Sequence, residues 1–206
     1  VSASPAATDV GVAILKGGGT AIDAAVATAF ALAVSFPEAG NLGGGGFLVA
    51  RLPDGREIAI DFRETAPRGA TPDRYRDAQG RVLPERSRVG PDAVAVPGSV
   101  AGLCHVQERY GSLPLKDVVA PSIALARDGF PMTPGVSRSL NAKVNKELLS
   151  RDPDAKRLFV DGAAALAPGA LFRQPDLAAT LERIAAHGAK DFYRGEIARR
   201  IVDDLG

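Results

Sequence analysis

The segment from Ala24 to Ser35 constrains the fold more than any other part of the chain, because it has helical composition and is apolar almost all round. Thr20 is placed to cap this helix, and Asp23 follows at the third position, where an acid can satisfy the first free amides. Pro37 ends it. A helix without a polar face is usually buried in a core or between layers, so this one needs something to lie against.

A β-hairpin is predicted next. The first strand is Phe47–Leu52, the Asp-Gly pair in Pro53–Gly55 is a strong hairpin signal, and the return strand is Arg56–Arg63. Strand alternation divides the return strand into two faces, one with Ile58, Ile60 and Phe62 and the other with Ala59, Asp61 and Arg63.

The remainder is predicted to be mostly helical. The expected helices are Pro5–Lys16, Val100–Tyr110, Leu115–Asp128 with Pro121 opening a new helical segment, and short amphipathic helices between Pro134 and Leu205. A polar, proline-rich loop is expected between Thr65 and Pro91. One hairpin is rarely stable alone, so we infer that further sheet, against which the apolar helix could lie, comes from sequence outside this chain.

Composition excludes some classes of function. The 25 basic and 24 acidic residues of the 206 show no basic cluster, so nucleic acid is not expected as a partner. Cys104 is the single cysteine, which fits the cytosol and also a periplasmic protein without disulfides. Residues 1–5 lack the features of a signal peptide, and the apolar stretch Ala21–Phe36 is too short to span a bilayer.

The glycine-rich segment Gly40–Gly46 allows three interpretations. A phosphate loop runs from strand to helix, whereas this segment runs from helix to strand and lacks a following Gly-Lys-Ser/Thr. The second interpretation is a close backbone approach that only glycine permits. The third is that its amides line a substrate pocket.

Arg63 is the candidate binding residue. Its guanidinium offers a planar fork that matches a carboxylate, and Asp61 or Glu64 could orient that fork. The alternative is a structural ion pair at the end of the strand, which is common for arginines near acids.

Metal and nucleophile chemistry find little support. His105 and His187 are the only histidines, and neither forms a recognisable ligand spacing with Cys104. No nucleophile-elbow motif is present, and an N-terminal nucleophile would have to be the first residue, which here is Val1. We therefore expect no catalytic residue, metal or cofactor in this chain, and no turnover by the chain alone.

Seven segments together resemble the γ-glutamyltransferase family, also called γ-glutamyltranspeptidase or glutathione hydrolase. They occur in the family's order across the chain and are Gly17–Val26, Asn41–Phe47, Asp61–Pro67, Val96–Leu103, Arg109–Leu115, Ala124–Phe130 and Asp191–Gly195. Departures are small: Thr20 stands where asparagine is usual and Ser99 where threonine is usual.

The resemblance implies an α/β (α+β) fold, the αββα sandwich of N-terminal-nucleophile hydrolases, of which this chain supplies a mostly helical part and a hairpin. Such proenzymes cleave themselves into a large and a small subunit and free a threonine nucleophile. Residues 1–206 are expected to be the N-terminal portion of the large subunit, with the remaining large-subunit segment and the small subunit as partners. Periplasmic or secreted localisation is likewise implied only by the family.

The implied reaction is cleavage of the γ-glutamyl amide of glutathione and related donors through a threonine acyl-enzyme, followed by transfer to water or to an amino acid or peptide. In this picture Arg63 binds the α-carboxylate of the γ-glutamyl group. Two alternatives remain open: a cephalosporin-acylase-like or poly-γ-glutamate-processing relative, and a non-catalytic structural half of a heterodimer.

Overall fold

The computed structural model of the chain describes residues 1–162 and 166–205. Ten helices lie within these residues: α1 (Pro5–Lys16), α2 (Ala21–Ser35), α3 (Ser99–Tyr110), α4 (Leu115–Asp128), α5 (Pro134–Leu140), α6 (Lys143–Leu149), α7 (Pro153–Phe159), α8 (Pro175–His187), α9 (Ala189–Arg194) and α10 (Glu196–Leu205). The strands in the same ranges are β1 (Phe47–Arg51), β2 (Glu57–Asp61), β3 (Phe130–Pro131) and β4 (Leu171–Phe172).

The chain divides into two compact units. Unit 1 contains Val1–Asn41 and His105–Gly188, and unit 2 contains Leu42–Cys104 and the chain from Ala189 onwards. Within the described residues, no helix combines the length and the apolar character needed to cross a bilayer.

Helix α2 is the centre of unit 1. Val26, Phe30 and Val34 on this helix are fully buried, and the helix packs against α1 and α4, with α8 packed on α4. The predicted burial is therefore confirmed. Ala21 and Ala25 on the same helix are exposed, so the helices of unit 1 do not cover α2 all round. That further sheet comes from sequence outside this chain stays a prediction.

The start of α2 joins two of the sequence segments that resemble the family. Thr20 and Asp23 form the predicted capping box, in which the Asp23 carboxylate accepts the Thr20 N–H at 2.7 Å. The same carboxylate also accepts the side-chain amide of Gln107 at 2.6 Å, the N–H and hydroxyl of Ser112 at 2.9 and 2.7 Å, and the N–H of Leu113 at 3.0 Å. Asp23 thus fixes the turn after α3 onto the first turn of α2.

Two details of unit 1 differ from the prediction. Helix α4 runs through Pro121 without a break, so this proline does not open a new segment. Strands β3 and β4 form a second antiparallel pair, with Phe130 opposite Phe172, and β4 lies in the part of the chain after Pro134 where only helices were expected. Strands of two residues are too short to show an alternating pattern in the sequence.

Strands β1 and β2 form the predicted hairpin of unit 2. Their register pairs Phe47 with Asp61 and Arg51 with Glu57, and exposure alternates along both strands. The return strand is shorter than expected and does not end at Arg63. It ends at Asp61, whose side chain accepts the Arg63 N–H at 2.9 Å, and backbone hydrogen bonds between Phe62 and Gly46 continue the pairing for one more residue.

The polar loop after the hairpin is ordered by Asp92. Its carboxylate forms ion pairs with Arg74 at 3.1 Å and with Arg86, and its carbonyl accepts the Tyr75 hydroxyl at 3.1 Å. Two 3₁₀ turns, Pro84–Ser87 and Pro91–Ala93, complete this segment.

Candidate functional site

Arg63 lies in a two-residue segment held at both ends by backbone pairing. On one side, Phe62 donates its N–H to the Gly46 carbonyl at 3.0 Å and accepts the Gly46 N–H at 3.4 Å. On the other side, Thr65 and Val96 exchange two backbone hydrogen bonds at 3.1 and 2.9 Å. Arg63 and Glu64 therefore bridge two short stretches of sheet pairing.

Glycines surround the backbone next to Arg63. A Cβ atom on Gly45 would lie 2.6 Å from the Arg63 Cα, and one on Gly98 would overlap the Phe62 carbonyl oxygen. A Cβ on Gly102 would overlap the Phe62 ring in the same way. We call Gly45, Gly98 and Gly102, together with Phe62, the glycine clamp. Real Cβ atoms do not approach other atoms this closely, so the clamp requires glycine at these positions.

The start of α3 is fixed to the glycine-rich segment. The Gly44 carbonyl accepts the N–H groups of Gly98 at 2.7 Å and of Ser99 at 2.9 Å, which would otherwise be free donors at a helix start. Gly40–Gly46 therefore makes the close backbone approach that the second interpretation predicted. Whether its amides also line a substrate pocket stays a prediction.

Tyr193 fixes the same helix start from α9. Its hydroxyl donates to the Pro97 carbonyl at 2.8 Å and accepts the Ala101 N–H at 3.1 Å. Burial raises the pKa of the Tyr193 phenol, so the group is a neutral hydrogen-bonding anchor at ordinary pH. The Asp191 carboxylate accepts the Glu196 N–H at 3.1 Å at the start of α10. The Asp191–Gly195 segment is thus scaffold for the element that holds Arg63.

The guanidinium of Arg63 is exposed and lies over the ring of Phe47, with 5.6 Å between the guanidinium carbon and the ring centroid. Among the described residues, neither Asp61 nor Glu64 forms an ion pair with it, and Asp61 instead accepts the backbone N–H of Arg63. The structural ion pair considered from the sequence is not formed in this part of the chain. The edges of the fork can therefore receive a carboxylate.

The other candidate groups are the two histidines and the cysteine. His105 and His187 are both exposed, while Cys104 is buried. In residues 1–162 and 166–205, no cluster of three or more His, Cys, Asp or Glu side chains is arranged to hold a metal ion.

Sequence reasoning missed the contributions of Phe47, Gly98 and Gly102 to this site. The register of the hairpin could have indicated Phe47, because alternation places it on the same face as Asp61 and Arg63. No local signal connects Gly98 or Gly102 to Phe62, which lies more than 30 residues earlier in the chain.

The family model described as Gamma-glutamyltranspeptidase matches residues 7–206. The chain belongs to the γ-glutamyltranspeptidase family. The α+β N-terminal-nucleophile hydrolase fold class predicted from the resemblance is confirmed, because the solved structures that this chain resembles are enzymes of that class.

Several relatives are similar to this chain over almost its whole length. The glutathione hydrolase proenzyme of Escherichia coli K12 is 43% identical over 99% of this chain, and the acylase ACY 1 proenzyme of Pseudomonas sp. V22 is 42% identical over 98%. The Helicobacter pylori γ-glutamyltranspeptidase structure matches 99% of this chain and 58% of that one, with a TM-score of 0.94 and 42% identity. This γ-glutamyltranspeptidase-family chain spans about a third of the two curated proenzymes, 35% and 37% of their lengths.

Proposed function

We propose that this chain is the N-terminal part of the large subunit of a γ-glutamyl acyl-transfer enzyme, in which Arg63 binds the α-carboxylate of the donor. The nucleophile, a threonine freed by self-cleavage, belongs to the small subunit of the same precursor. It attacks the γ-glutamyl amide and forms an acyl-enzyme, and water or the amine of an amino acid or peptide then takes the acyl group. Periplasmic or secreted localisation is part of the same proposal.

The observation that carries this proposal is the Arg63 guanidinium, which has no acidic partner among the described residues and stands on a backbone fixed by the glycine clamp. An arginine held by its own acid would be a poor receptor for a substrate carboxylate, because the two carboxylates would compete for the same N–H groups. A rigid backbone also reduces the entropy that is lost when the substrate binds.

The test is the substitution Arg63→Lys in the full-length protein. Lysine keeps the positive charge but loses the bidentate fork, so kcat/KM for γ-glutamyl-p-nitroanilide should fall by about ten- to a hundredfold, the range for hydrogen bonds between charged groups. The thermal midpoint should change little because the side chain is exposed. Arg51→Lys, on the exposed face of β1, is the matched control. An unchanged kcat/KM in Arg63→Lys would contradict the assignment.

A second candidate is a cephalosporin-acylase-like function, since the acylase ACY 1 proenzyme is as similar to this chain as the glutathione hydrolases are. Identity of 42% against 43% does not separate the two activities. An assay of γ-glutamyl-p-nitroanilide beside a glutaryl-cephalosporin separates the two activities, because the glutaryl group lacks the α-amino group that a γ-glutamyl donor carries. A poly-γ-glutamate substrate belongs in the same panel.

A further inference from the structure

The Arg63 guanidinium lies over the Phe47 ring, and among the described residues it forms no ion pair and no side-chain hydrogen bond. The 5.6 Å separation lies within the range in which the negative face of an aromatic ring attracts a cation. Phe47 is a large apolar residue, yet 64% of its surface is exposed. Burial within this chain therefore contributes little to holding the ring there, and the cation that the ring faces is the candidate substrate-binding residue.

The backbone fixes this pair in place. Phe47 opens β1 directly opposite Asp61, and Arg63 is two residues further along, on the same face. Residues in this diagonal relation lie within reach of long and aromatic side chains. The two hydrogen bonds between Gly46 and Phe62 extend the hairpin pairing past the strand end, so Arg63 keeps to the face that carries Phe47.

A ring and a carboxylate hold a guanidinium in different ways. A carboxylate takes the N–H groups along the edge of the fork, which are the groups that a substrate carboxylate needs. A ring attracts the cation through its π face and accepts no in-plane hydrogen bond, so it limits the motion of the side chain and leaves the fork edge available.

We propose that Phe47 is a positioning residue, which holds the Arg63 guanidinium by a cation–π contact so that its N–H fork faces the α-carboxylate of a γ-glutamyl donor. This inference rests on the proposed function of Arg63. The proposal also gives the glycine-rich segment before β1 a role in substrate specificity. The backbone of Gly44, Gly45 and Gly46 fixes the position from which Phe47 projects.

The experiment compares Phe47→Leu, which keeps apolar volume without a π face, with Phe47→Tyr, which keeps the π face, in the full-length protein. Each is assayed with γ-glutamyl-p-nitroanilide and with 4-aminobutanoyl-p-nitroanilide, which lacks the α-carboxylate and serves as a competitive inhibitor if it is not turned over. Val49→Ala is the control, since Val49 is 81% exposed on the same face of β1.

Phe47→Leu should raise KM for the γ-glutamyl donor by about two- to fivefold with little change in kcat, the size of an exposed cation–π contact. Phe47→Tyr and Val49→Ala should retain the wild-type KM, and no variant should alter binding of the analogue without the carboxylate. If Phe47→Leu does not mature, Phe47→Met, which is unbranched and also lacks a π face, replaces it with the same expected KM.

Three outcomes would overturn the proposal: a wild-type KM in Phe47→Leu, an equal loss in Phe47→Tyr, or an equal loss with both donors, which would indicate a packing role for the ring. Arg63→Lys separates this inference from the proposed function. A loss in Arg63→Lys with no effect of Phe47→Leu refutes only the role of the ring. No effect of Arg63→Lys refutes the proposed function itself.

Discussion

At the residue scale, Asp23 shows how one buried carboxylate can join distant segments. It is fully buried, and its oxygens accept hydrogen bonds from the start of α2, from α3 and from the turn that follows α3. Burial alone would raise the pKa of Asp23, but the hydrogen bonds, first that of Thr20 and then those of the other donors, outweigh it and hold the pKa well below its ordinary value of 3.8.

Replacing Asp23 by Asn should destabilise the fold at neutral pH by about 2–4 kcal/mol, because an amide nitrogen would face donors that now bind a carboxylate oxygen. The measurement is urea unfolding of wild type and Asp23→Asn at several pH values. Asp9→Asn on the exposed side of α1 is the control and should change stability by less than about 0.5 kcal/mol.

The pH dependence of this effect has a definite sign. A carboxyl group whose folded pKa lies below its unfolded pKa contributes stability above the unfolded value, and that contribution is lost as the pH falls towards the folded value. The difference between wild type and Asp23→Asn should therefore be complete at pH 5–7 and should shrink below about pH 4. A difference that stays constant down to pH 2 would show that Asp23 does not depend on its charge.

At the element scale, the glycine clamp determines where Arg63 stands. The hairpin supplies Phe62 and Arg63, the glycine-rich segment supplies Gly45, and the start of α3 supplies Gly98 and Gly102. None of these contacts depends on positive φ angles, since none of the three glycines adopts one. The glycines are required because a side chain would not fit, so adding a single methyl group by a Gly→Ala substitution is enough to test the clamp.

Gly98→Ala should shift the Phe62–Arg63 backbone, because its Cβ would overlap the Phe62 carbonyl oxygen and approach the Arg63 carbonyl oxygen at 2.8 Å. We expect a stability loss of about 1–3 kcal/mol, as for other overpacked sites, together with a raised KM for a γ-glutamyl donor. Thermal unfolding and steady-state kinetics check both effects.

Gly43→Ala is the matched control for this substitution. A Cβ at Gly43 meets nothing within 4 Å, and its φ is not positive, so alanine should be neutral there or slightly stabilising. Equal stability and KM in the two variants would contradict the clamp.

At the scale of the whole molecule, the chain is a family member that spans about a third of its curated relatives. Under the proposed function, this chain supplies Arg63, which binds the α-carboxylate of the donor, and the rest of the precursor supplies the nucleophile. The face of the hairpin with Phe47 and Val49 is exposed, although both residues are apolar.

We expect the 206-residue chain alone to release no p-nitroaniline from γ-glutamyl-p-nitroanilide, and we expect co-expression with the remaining precursor segment to restore activity. Arg63→Ala in the co-expressed pair should then abolish most of kcat/KM. Turnover by the isolated chain would refute the assignment of the nucleophile. Full activity of the Arg63→Ala pair would favour the alternative of a purely structural half.

Local sequence patterns were sufficient for most of the elements. Helix α1 has the predicted bounds, α2 starts with the predicted Thr20–Asp23 cap, and the Asp-Gly turn closes the predicted hairpin. These features depend on contacts between near neighbours in the chain, and periodicity and capping residues encode such contacts directly. The seven sequence segments between Gly17 and Gly195, taken in their order along the chain, were likewise enough to identify the family.

Tertiary structure alone decided how the candidate site is built. Nothing near Arg63 in the sequence indicates that its acidic neighbours leave the guanidinium unpaired, that Phe47 lies against it, or that Gly98 is pressed onto Phe62. These contacts join residues 16 to 36 positions apart, and they exist only after the hairpin register and the start of α3 are fixed together. The sequence by itself determined the family and the candidate arginine, and long-range packing determined how that arginine is held.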